Sequence, residues 1–274
     1  MRFPLATIGV IAAVLFASAV RAEEPAAPDQ APLRPPGYAF EYPRVLAQQR
    51  LFGIAHGISL LAAACRGMPE FAQTAGDSYT AWRAGQQPAL DAAAGDLSTY
   101  YFGAGTAADW QALAKTLQLR EALDYAPDAA ELEAACATLP EALQRPRYDL
   151  VARFRLEEMM ARIVAAVDVE TRDRYCRERF IDAGHRVHEA RYAVWQEINA
   201  PALQQASAAL EREWPADGPA ATFAAWFAEL RRDTKPGGSL ADCREFSAAL
   251  RRPETALRNV FRMPPPPHPS TSPQ

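Results

Sequence analysis

The residues with the spacing of metal ligands are His185, His188 and Glu189, in the run His185-Arg-Val-His188-Glu189. On a helix, residues three and four apart share a face, so two imidazoles and a carboxylate could converge there on one divalent ion. The pattern is neither His-Glu-x-x-His nor His-x-x-Glu-His, and no distant further ligand can be named. Both histidines also fall on the stripe of Ile181, Tyr192 and Trp195. Imidazoles at such a core edge can be satisfied by hydrogen bonds without any ion. A metal-dependent enzyme or metal-binding protein is therefore the second function class. The first is a non-catalytic binding or interaction protein with no cofactor, whose partner is an envelope protein, a peptide or a small ligand.

Other chemistry finds no support in the sequence. There is no Gly-x-Ser-x-Gly elbow, Ser-x-x-Lys pair, P-loop or dinucleotide fingerprint. The acids Glu157 and Glu158 read as solvated helix charge rather than as a catalytic pair. Arg145-Pro146 and Arg252-Pro253 recur at a helix junction. Their arginines read as helix C-terminal caps in preference to a carboxylate site. The four cysteines are Cys65, Cys136, Cys176 and Cys243. Neither Cys-x-x-Cys nor Cys-x-x-Cys-His occurs, which removes support for thioredoxin-type redox work and haem attachment.

The elements that must carry these residues show an internal duplication. Tyr79, Trp82, Pro88, Ala89, Leu90, Leu97 and Tyr101 align without a gap on Tyr192, Trp195, Pro201, Ala202, Leu203, Leu210 and Trp214. A second block aligns Cys136, Leu143, Arg145, Pro146, Leu150 and Phe154 on Cys243, Leu250, Arg252, Pro253, Leu257 and Phe261. Shared Ala-rich composition accounts for matched Ala and Leu, but not for matched Trp, Cys and Pro. The sequence therefore predicts two repeats, residues 43–145 and 146–262, the second ending in a short terminal helix. Each repeat carries one early and one late cysteine. A unit that once stood alone could pair only internally, which predicts Cys65–Cys136 and Cys176–Cys243. Strand-like alternation is absent and helix formers dominate, so the expected fold is all-α with about five helices per repeat. Pro43, Pro69, Pro88, Pro146, Pro201, Pro219 and Pro253 read as helix starts. Thr106 to Asp109 resembles a capping box ahead of Trp110. Tyr79/Trp82 and Tyr192/Trp195 read as core anchors, with a ligand platform as the sharper alternative.

The ends read as processing and linker segments. Residues 1–22 have the charged Arg2, the apolar run Leu5–Val20 and a small residue before Glu23, the pattern of a secretory signal. Removing Arg2 and Arg21 moves the net charge from −4 to −6, an ordinary surface with no pull toward nucleic acid. No later segment is apolar enough to span a membrane, so the mature chain is expected in the periplasm or secreted. Residues 23–42 read as a Pro-rich extended leader, and residues 263–274 as a disordered Pro-rich tail. Such a tail is either a plain solubilising end or a ligand for a groove-binding partner.

Overall fold

The computed structural model describes residues 31–123, 130–179, 184–216 and 218–266. Residues 1–30, on which the expected secretory signal and the first part of the expected leader fall, lie outside them. Among the described residues the chain is all-helical, with eight α-helices and three short 3-10 turns. In order these are α1 (Pro43–Arg66), α2 (Ala72–Phe102), α3 (Trp110–Thr116), α4 (Ala130–Ala142), α5 (Leu150–Arg179), α6 (Gly184–Glu213), α7 (Phe223–Asp233) and α8 (Leu240–Ala249). The 3-10 turns are Pro146–Tyr148, Pro253–Thr255 and Leu257–Asn259. Four α-helices stand in residues 43–145 and four in 146–262, where the sequence suggested about five each.

Proline behaves in two ways. Pro43 opens α1, and Pro146 and Pro253 open 3-10 turns, as their missing N–H allows. Pro88 and Pro201 are not helix starts; they lie inside α2 and α6. An interior proline forfeits one helical hydrogen bond and costs about 3 kcal/mol. Buried residues on both sides outweigh this: Trp82 and Leu90 flank Pro88, while Trp195 and Ala206 flank Pro201. The expected capping box at Thr106 is also absent. Thr106 donates to the carbonyl of Phe102, and Asp109 caps α3 by accepting from the Ala112 amide at 2.7 Å. A reciprocal box instead opens α8, where Ser239 and Asp242 bond each other's backbone amides. Those bonds hold the Asp242 carboxyl below its usual range.

Two disulfides join Cys65 to Cys136 and Cys176 to Cys243. They close separations of 71 and 67 residues, each worth roughly 4 kcal/mol on the chain-entropy argument. The first ties α1 to α4, the second α5 to α8. A set of side-chain contacts occurs once in each half. Trp82 Nε1 donates to the Tyr148 carbonyl at 2.9 Å, and Trp195 Nε1 to the Thr255 carbonyl at 2.8 Å. The Leu150 amide donates to Gln86 at 2.9 Å, and the Leu257 amide to Asn199 at 2.7 Å. In each case the helix tryptophan and an amide side chain one turn later hold the chain around a Pro-initiated 3-10 turn.

Residues 31–266 behave as one compact unit, and α5 is the reason. Its start, Leu150 and Phe154, packs in the core of α1, α2 and α4. Its middle, Ile163 to Val169, packs with α6 and α7 and with Leu250 and Leu257. Arg50 of α1 pairs with Glu157 of α5 at 2.9 Å. The leader and tail are also tied down within the described residues. The Leu33 amide donates to the Tyr101 carbonyl, Gly37 to Thr116, and Ala39 to the Gln49 side chain. Tyr101, fully buried, donates its hydroxyl to the Gly37 carbonyl while Gln49 donates to the same hydroxyl. Met263 packs on this core. No helix of the described residues is long and apolar enough to cross a membrane.

Candidate functional site

Helices α5 and α6 run antiparallel. Asp173 meets His188 near their junction, Ala166 packs with Trp195 further along, and Ile163 with Ala206 and Leu210 at the far end. Helix α7 lies across the same pair, so a groove forms where the three do not close. Its apolar part has a volume of about 320 Å³ and is walled by Ala166, Val167, Tyr192, Trp195, Leu203 and Phe227. Beyond Glu170, Tyr192 and Gln196 it continues into a polar mouth bordered by Arg174, Arg177 and Glu189.

The periodicity of α6 explains which side chains face inward. Tyr192, Trp195, Asn199 and Leu203 follow each other at intervals of three or four residues and so share one face. The Tyr192 and Trp195 rings stack with centroids 6.1 Å apart. Trp195 is buried, while Tyr192 is half-buried and accepts a hydrogen bond from Gln196 at 3.0 Å. Burial pushes the Tyr192 phenol up to about 12, with the charges of Asp173 and Glu170 adding to the effect. Asn199 is tied to the fold on both sides of its side chain, its amide nitrogen donating to the Trp195 carbonyl and its oxygen accepting from the Leu257 amide.

The charges at the mouth are largely paired with one another. Glu170 takes Arg231 and, at 3.6 Å, Arg174. Arg231 also lies over the Phe227 ring at 5.2 Å. Asp173 is fully buried and holds Arg177 at 2.9 Å and His188 Nε2 at 3.1 Å. Burial raises the Asp173 carboxyl above its usual range, against the opposing pull of Arg177 and His188.

Of the three metal-ligand candidates, the side chains of His188 and Glu189 are described, and they stand in different surroundings. His188 is fully buried against Asp173, with its ring 5.9 Å from that of Phe246. Glu189, the next residue, lies on the exposed side of α6 at the mouth. The His185 side chain lies outside the described residues. Among the described residues no three His, Cys, Asp or Glu side chains are grouped to hold one ion. The other aromatic pair plays a different part. Tyr79 and Trp82 are buried in the core of the first half with Leu132 and Leu139 of α4. Arg145 reaches back to Glu141 at 3.2 Å. For both Arg145 and Arg252 it is the backbone amide that bonds the end of the preceding helix.

Asp173, Gln196, Phe227 and the Gln86/Asn199 pair carry no motif, so nothing in the sequence singled them out. Only Gln86 and Asn199 share a signal, their helical register four residues after Trp82 and Trp195. Comparison of the chain with protein-family models, with curated proteins and with solved structures gives no match.

Proposed function

We propose that the chain is an exported, non-catalytic binding protein of the periplasm or the extracellular space. Its site is the α5–α6–α7 groove, which takes the apolar part of a peptide or small ligand. The observation that carries this reading is the groove itself. An apolar cleft of about 320 Å³ with stacked aromatic rings on one wall opens into a polar mouth. Concave, mainly apolar sites with a few polar groups at one end are the usual form of a ligand pocket. The acids and arginines at the mouth already neutralise one another. A ligand whose polar end is neutral or zwitterionic therefore fits better than a multiply charged anion. The two disulfides support an oxidising compartment.

We also infer that the two halves descend from one duplicated unit. The matched sequence blocks support this, as do the two internal disulfides and the twice-used Trp and amide contacts around Pro146 and Pro253.

A thermal-shift screen of the purified protein against short peptides and small amphiphiles of the cell envelope tests the site. Ala200, half-buried in the groove wall, is replaced by Trp as the control. A true groove ligand raises the melting temperature of the parent protein and not of folded Ala200→Trp. Ligands that shift both proteins equally would place binding elsewhere.

A further inference from the structure

The two ends of the described chain meet on a surface of the first half, away from the groove residues. Arg34 has its guanidinium carbon 4.4 Å from the centroid of the Tyr100 ring and 5.7 Å from that of Tyr42. Those two rings meet edge-on, 5.9 Å apart. Arg34 Nη2 donates to the carbonyl of Pro265 at 2.7 Å. Met263 packs on the cluster that contains Tyr42 and Tyr100, and Pro264 is half-buried. The neighbouring Leu33 amide is bonded to Tyr101, which fixes the backbone beside Arg34.

Each part of this contact suits a proline run. Consecutive prolines have no N–H, so their carbonyls find no donor within the run and accept from outside. Their polyproline II conformation is preformed, so docking costs little chain entropy. Surfaces that read such segments combine adjacent aromatic rings with a donor aimed at a proline carbonyl. Tyr42 and Tyr100 supply the rings here, and Arg34, held by stacking on them, supplies the donor. The segment that carries Arg34 also leaves Tyr38 and Phe40 exposed, 42% and 75%, which extends the aromatic surface along the chain.

We propose that the Arg34–Tyr42–Tyr100 surface is a recognition site for proline-rich segments in the polyproline II conformation. Met263–Pro266 occupies it in cis, and the proline-rich segment of a partner protein takes the same place in trans. The Arg34 guanidinium lies over two rings and donates to a neutral carbonyl, an arrangement that favours a proline carbonyl over a phosphate. A tethered segment has a high effective concentration, so the cis segment must compete strongly with any partner.

The experiment uses the whole chain and a fluorescent peptide with the sequence of residues 263–274. In the competitor-free variant, Pro264, Pro265 and Pro266 are all replaced by Ala. Anisotropy should show saturable binding to this variant, at least about tenfold tighter than to the parent chain, whose own tail competes. Adding Arg34→Ala should weaken binding about tenfold, and Arg34→Lys, which keeps the charge but loses the planar stack, should fall between. A peptide with serine in place of every proline should not bind. Circular dichroism and the melting temperature establish that each variant is folded. Absence of saturable binding to the folded competitor-free variant would overturn the proposal, and so would binding indifferent to Arg34→Ala. A concentration-dependent dimer of the parent chain that the peptide does not dissociate would assign the surface to a second copy instead, and would equally overturn it.

Discussion

Asn199→Ala should destabilise the protein by about 1–2 kcal/mol, although Asn199 carries no charge and touches no catalytic group. Its side chain is only 4% exposed and makes two bonds, donating to the Trp195 carbonyl at 2.8 Å and accepting from the Leu257 amide at 2.7 Å. Leu257 is itself fully buried, and its amide begins the last 3-10 turn. Alanine leaves that amide without an acceptor and out of reach of water, a penalty of roughly 1–3 kcal/mol. Alanine also suits a helix interior better than asparagine, which returns about 0.6 kcal/mol. The difference, about 0.4–2.4 kcal/mol, is centred within the range given above. Gln86→Ala removes the corresponding bond to Leu150, at 2.9 Å, but Gln86 is only half-buried, so water can replace it and the loss should stay under about 1 kcal/mol. Urea unfolding gives both values, and hydrogen exchange reads the Leu257 amide directly. Its exchange should accelerate in Asn199→Ala and stay slow in Gln86→Ala. Unchanged stability together with unchanged exchange at Leu257 would refute the claim that this bond holds the terminal turn.

Trp82→Phe and Trp195→Phe each remove an N–H that satisfies a carbonyl of a 3-10 segment, and each should cost about 1–2 kcal/mol in urea unfolding. Replacing Cys176 and Cys243 together by Ser should lower stability by roughly 4 kcal/mol under oxidising conditions, and non-reducing peptide mapping should still find the Cys65–Cys136 peptide pair. His188→Ala should cost about 3 kcal/mol at neutral pH, because it strips one partner from the buried Asp173 carboxylate. That cost should shrink as the pH falls, since protonated Asp173 no longer leaves a charge short of a partner; a pH-independent loss would show that packing of the ring, not charge, is what matters. Tyr101 and Tyr192 both keep their protons up to about 12, because burial disfavours the phenolate. Unfolded phenols titrate near about 10, so the folded chain holds protons that the unfolded chain releases, and stability should fall as the pH climbs between those values. Ultraviolet titration of phenolate formation should show a late phase that coincides with loss of helical circular dichroism.

The parts of this fold that were legible in the sequence are those set by residue type. Helix-forming composition with no alternation leaves no route to a sheet. One early and one late cysteine in each of the two expected repeats leave internal pairing as the simplest solution, and both bridges are formed that way. Less was legible wherever tertiary packing overrides a local preference. Pro88 and Pro201 look like helix starts because a proline interior to a helix is costly. They are interior because Trp82, Leu90, Trp195 and Ala206 bury enough surface on either side. Gln86 and Asn199 were invisible to self-comparison, since one residue differs from the other although both accept from the same leucine amide. The contact of Pro265 with Arg34 was hidden for another reason. Nothing near Pro265 in sequence announces Arg34 as its donor.

The two aromatic pairs show most clearly where residue identity stops being informative. Tyr79/Trp82 and Tyr192/Trp195 have the same residues, the same spacing and the same tryptophan hydrogen bond. In the first half, Leu132 and Leu139 of α4 share the buried cluster with Tyr79 and Trp82, and Tyr79 is 9% exposed. In the second half, α8 brings Phe246 and Leu250 to Trp195, while Tyr192 is left half-buried at the edge of an open groove. Whether an aromatic pair is wholly core or borders a groove thus depends on what a third helix covers. That is decided by Phe223, Trp226 and Phe227, which draw α7 onto Ile163 and Leu210 rather than over Tyr192. Filling the groove from the α6 side and loosening α7 should therefore act differently. Ala200→Trp should remove ligand binding and leave stability nearly intact, whereas Phe223→Ala, at a buried site, should cost about 3–5 kcal/mol before any effect on binding can be read.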